Sequence, residues 1–370
     1  MTALLPGPSG SSGPSGSAPE RGDGRTPAGR VVRLGDRVSF RLRPRLAAVY
    51  ASLVAAALVV LAVTLMVGDY QIPLPEVLLA LTGRGERLDV FFVQGVRLPR
   101  ALTALLVGAG LGVAGAVFQS LSRNPLGSPD IIGFTHGAAT GAVLTILVLG
   151  GGMVATALGA VAGGVATALL VYLLAMKRGV QGYRLILVGI GLSAMLLAVR
   201  DYLISRAELT DAMAAQVWMI GSLNARTWGH VIAVAVGTAV LVPLIIAYGR
   251  RLRLMEMGHD TARALGVSPQ STQAMALLAA SALTGVAIAV SGPISFIALA
   301  APQLARRLAR AEGATIAGAG LMGAFLMLTA DLVAQRAMAP VQLPVGVVSA
   351  VIGGSYLVWL LYREWRTGRA

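Results

Sequence analysis

The residues best placed to do chemistry in this chain are arginines, and what they offer is recognition of carboxylates. Arg97-Leu98-Pro99-Arg100 sets two fixed cations beside a proline that suits the first turn of a helix. A guanidinium can take a carboxylate in two parallel hydrogen bonds. The pair is therefore either a docking point for an acidic partner or an interfacial pair with its charged heads drawn toward water. Asp331 and Arg336 admit the same two readings, or a pairing with each other.

Two irregular stretches come next. Arg123-Asn124-Pro125-Leu126-Gly127-Ser128-Pro129-Asp130 carries two prolines, a glycine and a helix-capping aspartate between apolar runs, and Ser291-Gly292-Pro293 interrupts another. Non-helical backbone at membrane depth is tolerated where it is buried in protein or lines a cavity. Asn124, Pro125, Leu126, Pro129, Gly292 and Pro293 are accordingly candidates for a translocation pathway or gate, with ordinary turns as the alternative. Segment 250–270, RRLRLMEMGHDTARALGVSPQ, is polar, and Met255 to Leu265 reads as a short amphipathic helix closed by Gly266. Such a helix suits a membrane surface or a groove on a soluble partner.

Bond-making chemistry has no such residues. The sequence lacks a GxSxG elbow, an HExxH pair and a GxxxxGK[ST] phosphate loop, so energy from ATP would have to come through another chain. With no cysteine, disulfides and thiolate metal sites are excluded, and His136, His230 and His259 are far apart in sequence. No cofactor or metal is called for.

The elements that must position the arginines are membrane helices. Apolar residues make up 56% of 370 positions and charged ones 12%, against about 25% charged in soluble domains. A spanning helix needs about 20 mostly apolar residues. Stretches free of Asp, Glu, Lys and Arg run over 46–67, 101–122, 131–176, 227–249, 264–305, 313–330 and 337–362. The Gly150-Gly151-Gly152 turn splits the third, and Ser291-Gly292-Pro293 splits the fifth. With the shorter 185–199 this makes an all-α, polytopic membrane protein of about ten transmembrane helices. Glycines four apart, Gly108/Gly112, Gly133/Gly137/Gly141 and Gly159/Gly163, predict faces where helices approach closely.

Lys and Arg gather on the cytoplasmic side of such proteins. With the N-terminus inside and counting from Arg30, twenty positive residues fall at inner ends and eight at outer ends, the latter interleaved with acids. Both termini are thus expected in the cytoplasm, at a bacterial inner membrane. The net charge of +14 is spread over successive loops without forming one stripe, which favours anionic lipid over nucleic acid.

Residues 1–45 read as a disordered basic tail, since 1–29 are dominated by Gly, Ser, Pro and Ala; 46–362 form the transmembrane domain and 363–370 a cytoplasmic tail. The first apolar run is too long for a signal peptide and reads as an uncleaved anchor. Pro73, Pro75 and Gly83-Arg84-Gly85 frame a lateral helix near 75–82, and Trp218, Trp228, Trp359 and Trp365 mark interfaces.

Several pieces in order are specific enough to name a family. RLPRALTALLVGAGLGVAGAVFQSLSRNPLGSPDIIGFTHGAATGA (97–142), YRLILVGIGLSA (183–194), WMIGSLNARTW (218–228), MGHDTARALGV (257–267), SGPISFIALAAPQLAR (291–306) and LPVGVVSAVIGG (343–354) resemble the permeases of iron-siderophore and vitamin B12 ABC importers, the FecCD family. The resemblance covers about 46–362.

It implies the type II ABC importer permease fold. Two copies, or two related subunits, would form one pathway between an extracytoplasmic substrate-binding protein and two ATPase subunits. Arg97 and Arg100 would meet glutamates on the binding protein. Gly258, Ala262, Arg263, Leu265 and Gly266 would belong to the loop that sits in the ATPase groove. The sequence departs from the family at Gln303, where His is usual, at Gln342, where Glu is usual, and at Gly353-Gly354-Ser355, where Gly-Ala-Pro is usual. A further family arginine falls where this chain has Gln335, and Arg336, one later, is set beside Arg97 and Arg100 in docking.

For substrate, GDY (68–70), SRNPLGSPDIIGF (122–134) and WMIGSLN (218–224) look most like ferric-siderophore members of the catecholate, ferric enterobactin type. The Lys-poor, Gly- and Ala-rich composition points to a high-GC bacterium, and siderophore importers there often pair two permease chains. Vitamin B12 or haem import is the alternative within the family. A proton-coupled transporter would need ionisable groups near midplane, and a membrane enzyme would need an intramembrane nucleophile or metal cluster.

Overall fold

A computed structural model of the chain describes residues 30–34, 38–42, 44–175, 182–311 and 315–366. Residues 1–29 and 367–370, within the two expected tails, lie outside these.

The chain divides into two units, Met1–Ala47 and Ala48–Ala370. In the first, strands β1 (Arg30–Leu34) and β2 (Val38–Leu42) pair antiparallel, Arg30 opposite Leu42 and Leu34 opposite Val38. Val31, Val32, Val38 and Phe40 are residues that favour strands.

The second unit is helical. Helix α1 (Pro44–Met66) leads to α2 (Leu74–Leu81), which starts after Pro73 where a lateral helix was expected. Helix α3 (Arg87–Val90) passes through a π-helical stretch, Phe91–Arg97, into α4 (Leu98–Ser122). Then follow α5 (Pro129–Ile132), α6 (Phe134–Leu147), α7 (Met153–Ala175), α8 (Gly182–Arg206) and α9 (Leu209–Met219). The rest are α10 (Trp228–Glu256), α11 (His259–Ala264), α12 (Pro269–Ser291), α13 (Ile297–Ala309), α14 (Ile316–Arg336) and α15 (Val345–Arg366).

Among the described residues seven helices are long and apolar enough to cross a membrane, fewer than the ten expected. The physical reason is length. Helix α6 has 14 residues and α13 has 13, which at about 1.5 Å each gives roughly 20 Å against a hydrocarbon core of about 30 Å. In α15 the apolar part, Val345–Leu360, is also short. Conversely α8 runs past its expected end to Arg206, with Arg200 and Asp201, which pair at 2.8 Å, inside the helix. The single helix expected from Met255 to Leu265 is instead two, broken at Gly258, whose φ of 116° is open to glycine and strained for other residues.

Helix α4 forms the centre and is largely buried. A Cβ at Gly112 would stand 2.1 Å from the carbonyl oxygen of Ala319 on α14, so only glycine permits that approach. Between α6 and α7 the same holds at Gly141, where a Cβ would reach 2.2 Å from the Gly159 carbonyl. These are the faces expected from four-residue spacing, and close backbone packing is how helices gain contact in lipid.

Candidate functional site

The three arginines flagged from the sequence converge on one cavity of about 490 Å3 at the N-terminal end of α4, lined among others by Asp69, Tyr70, Arg97, Arg100, Arg336 and Gln342. Each reaches it with a different set of partners. Arg97, the last residue of the π-helical stretch, is buried and donates to the carbonyls of Leu65 (2.6 Å), Met66 (3.3 Å) and Tyr70. It thereby satisfies carbonyls at the C-terminal end of α1 that the helix leaves without partners.

Arg100 is spent on a buried carboxylate. Its Nε donates to both oxygens of Asp331 (3.1 and 3.0 Å), its Nη2 to Oδ1 (2.9 Å), and its Nη1 to Gln342 Oε1 (2.9 Å). Gln335 Nε2 closes the network at Asp331 Oδ2, 2.8 Å. Asp331 therefore pairs with Arg100, and Arg336 pairs instead with Asp69, Nη1 to Oδ1 at 3.2 Å, across a largely exposed carboxylate. Arg336 Nε is buried with no hydrogen-bond partner among the described residues.

The sequence did not single out Arg226, which donates to the Ser222 carbonyl (3.0 Å from Nη2) and lies 3.1 Å from His230 Nε2. Its loop is stitched to two helix junctions, Ser222 N to Ser291 O (2.8 Å) and Gly346 N to Gly221 O (3.1 Å). A short helix such as α9, with Glu208 at its N-cap and Asp211 in its first turn, gave no spanning signal to mark this region.

At the other end of α4 the chain turns at Arg123, φ 51°, whose guanidinium donates to Met255 O at 2.8 Å. Ser120 donates to Glu256 Oε1 (2.9 Å) and Arg306 to Gln119 Oε1 (3.2 Å). Two neighbouring cavities of about 230 and 370 Å3 share Asn124, Pro125 and Arg306. Asn124 folds its own turn, its Oδ1 accepting Leu126 N–H at 2.9 Å, and Gln303 Nε2 donates to Pro125 O at 2.8 Å. Gly292 and Pro293 form the α12–α13 junction, against the Trp218–Gly221 loop and away from these cavities.

Helix α11 hangs beside this end. Ala262 is buried in a small cluster with Met255 and Val267, while Met257 and Leu265 are exposed apolar side chains. Arg263 pairs with Asp260 at the surface (3.1 Å), and Gly266, φ 78°, turns the chain into α12. Burial, then Arg123 and Arg263, hold the His259 imidazolium below its ordinary range. Among the described residues no three His, Cys, Asp or Glu side chains are grouped to hold a metal.

The FecCD transport family model matches residues 55–363. The ferric enterobactin transport system permease protein FepG of Escherichia coli (strain K12) is 47% identical over 294 residues, 79% of this chain and 88% of the relative. The Fe(3+) dicitrate transport system permease protein FecD of the same organism is 38% identical, over 79% of this chain and 92% of its own length. Among solved structures, a metal-chelate type ABC transporter in an inward-facing conformation superposes with a TM-score of 0.78 at 28% identity, covering 86% of this chain and 99% of that one. With the match covering most of its length and these relatives well aligned, the chain belongs to the FecCD transport family.

Proposed function

We propose that this chain is the transmembrane permease subunit of an ABC importer that carries ferric siderophore across the bacterial inner membrane, with ATP hydrolysed by separate subunits. The observation that carries this reading is the 47% identity to a ferric enterobactin permease across 88% of that protein. The geometry supports it, because charged and polar groups able to meet partners stand at both ends of α4.

In this reading α6, α13 and α15 join the seven longer helices to make ten spans, the short ones crossing with the help of the junctions that precede them. The α11 end is cytoplasmic, since Arg123, Arg250, Arg251, Arg253, Arg306 and Arg307 gather there. The exposed Met257 and Leu265 of the α11 region fit a groove on an ATPase subunit. An extracytoplasmic substrate-binding protein docks on the arginine cavity. Arg336, with a partnerless Nε and an exposed competitor in Asp69, is the group an incoming carboxylate engages, while Arg97 and Arg100 hold the cavity wall. A second permease, a copy of this chain or a related one, completes the pathway.

Uptake of radioactive iron, supplied as several ferric siderophores to iron-starved cells with and without this gene, tests the proposal. Loss of one siderophore's uptake, restored by the gene, is expected. Loss of labelled vitamin B12 or haem uptake alone would keep the importer and replace the substrate.

A further inference from the structure

Two helix junctions that are far apart in sequence meet in space. One is the connection 123–133 between α4 and α6. The other is residues 292–296 between α12 and α13. Asp130 belongs to the first. Its Oδ1 accepts the hydroxyl of Thr135 at 2.6 Å, and its carboxylate faces the backbone N–H of Phe296 in the second.

Phe296 is an unusual residue to find there. It precedes the first turn of α13 with φ 69°, the left-handed region that aromatic side chains rarely enter, and no side chain of its own segment caps that turn. Backbone of this kind persists only when its surroundings over-determine it, and an observed outlier is grounds for a functional hypothesis. Its surroundings do over-determine it. Its N–H faces the Asp130 carboxylate, its carbonyl accepts from Leu299 and Ala300 (3.1 and 2.8 Å), and its side chain fills the space that a Cβ on Gly353 of α15 would need.

Further ties join α13 itself to the same connection and to α4. Gln303, two turns into α13, donates to the Pro125 carbonyl at 2.8 Å, and Gln119 Nε2 donates to the Leu299 carbonyl at 3.0 Å from the end of α4. The rings of Phe118 and Phe134 stack at 5.1 Å on the two sides of the connection.

We infer that Asp130 and Gln303 clasp α13 to the 123–133 connection, so that the two helix junctions move as one body when the importer switches access. This rests on the transport reading above. Asp130 and Gln303 are positioning residues: they set where Asn124, Pro125 and Leu126 stand relative to α13, and need not touch the cargo. A carboxylate suits the task because it accepts the Thr135 hydroxyl while its charge faces the N-terminal ends of α6 and α13, where helix dipoles favour negative charge.

The absence of cysteine gives a clean test. In the purified importer with its ATPase subunits, Leu126→Cys and Arg307→Cys, which line one cavity, are bridged with a bismaleimide with and without a non-hydrolysable ATP analogue. One body predicts equal bridging in both conditions. Adding Asp130→Ala makes bridging depend on nucleotide and lowers iron taken up per ATP hydrolysed by roughly tenfold, within the usual range for coupling between sites. Asp130→Asn, which keeps an acceptor oxygen, restores most of both. If Asp130→Ala does not assemble, Gln303→Leu is read in the same way.

Bridging that already changes several-fold with nucleotide in the parent overturns the proposal. So does an Asp130→Ala or Gln303→Leu importer whose bridging and coupling ratio are unchanged. Bridging is read without cargo, so failure of the parent to take up any ferric siderophore would sink the transport reading and leave this result standing.

Discussion

Arg100 on α4 and Asp331 on α14 are joined side-on, with Nε and Nη2 both on the carboxylate at 2.9 to 3.1 Å and the aspartate wholly buried. Removing one partner leaves the other as a buried charge without compensation, a loss of about 3–5 kcal/mol. Asp331→Asn or Arg100→Gln should therefore lower the melting temperature of the purified protein in nanodiscs substantially. The double variant should lose clearly less than the two single losses combined. Simple additivity would mean the two groups do not act as a pair.

Arg336 should behave differently. Its ion pair with Asp69 is largely exposed and adds little stability, about 0–1 kcal/mol. Arg336→Glu should leave the melting temperature nearly unchanged and weaken capture of the substrate-binding protein by roughly tenfold or more, as expected when a complementary charge is reversed. Surface plasmon resonance with the reconstituted importer measures it, and unchanged affinity would move docking elsewhere.

At Gly112 even one methyl group is too many. Gly112→Ala drives a Cβ toward the Ala319 carbonyl, and forced repacking of this kind costs about 1–3 kcal/mol. The variant should show a lower yield of folded protein by size-exclusion profile in detergent, whereas Gly152→Ala, where nothing stands within 4 Å, should not.

Met257→Asp with Leu265→Asp replaces the two exposed apolar groups around α11. Both are on the surface, so stability should hold while the ATPase subunits no longer copurify. Copurification at the parent's level would assign the ATPase contact to another part of the chain.

His259 gives a pH dependence. Its folded-state pKa lies below the ordinary 6.5, through burial first and then Arg123 and Arg263, so the unfolded chain binds more protons. Its contribution is complete above pH 6.5 and is lost as pH falls below it. Melting curves from pH 8 to 5 should slope downward into acid, and His259→Gln should flatten that slope. An identical slope in the variant would assign the acid sensitivity to other groups.

The long helices were legible because apolar length is a local property, and the breaks at Gly150–Gly152 and Ser291–Pro293 were legible because glycine and proline declare themselves. Helix α9 escaped, being short and opening on Glu208 at its N-cap and Asp211 in its first turn. The split at Gly258 escaped because residues 255–265 have one amphipathic period whether or not a glycine divides them. At the site, Arg97, Arg100 and Arg336 were visible as cations, but their partners were not. Asp331 is 231 residues from Arg100, and the choice between Arg100 and Arg336 depends on which helix faces it. Asp130 read as a cap for its own helix, and its place facing the start of α13 could be seen only once two distant junctions were side by side.

The grip of Arg97 on the end of α1 also bears on how the chain is made. Ribosomes deliver α1 some thirty residues before Arg97, so until Arg97 follows, the Leu65 carbonyl at the end of the young helix has only water or lipid headgroups to meet it. The first helix and the fourth thus mature as a pair during synthesis. A fragment released from the ribosome after residue 122 should resist extraction by alkaline carbonate better than the same fragment carrying Arg97→Ala.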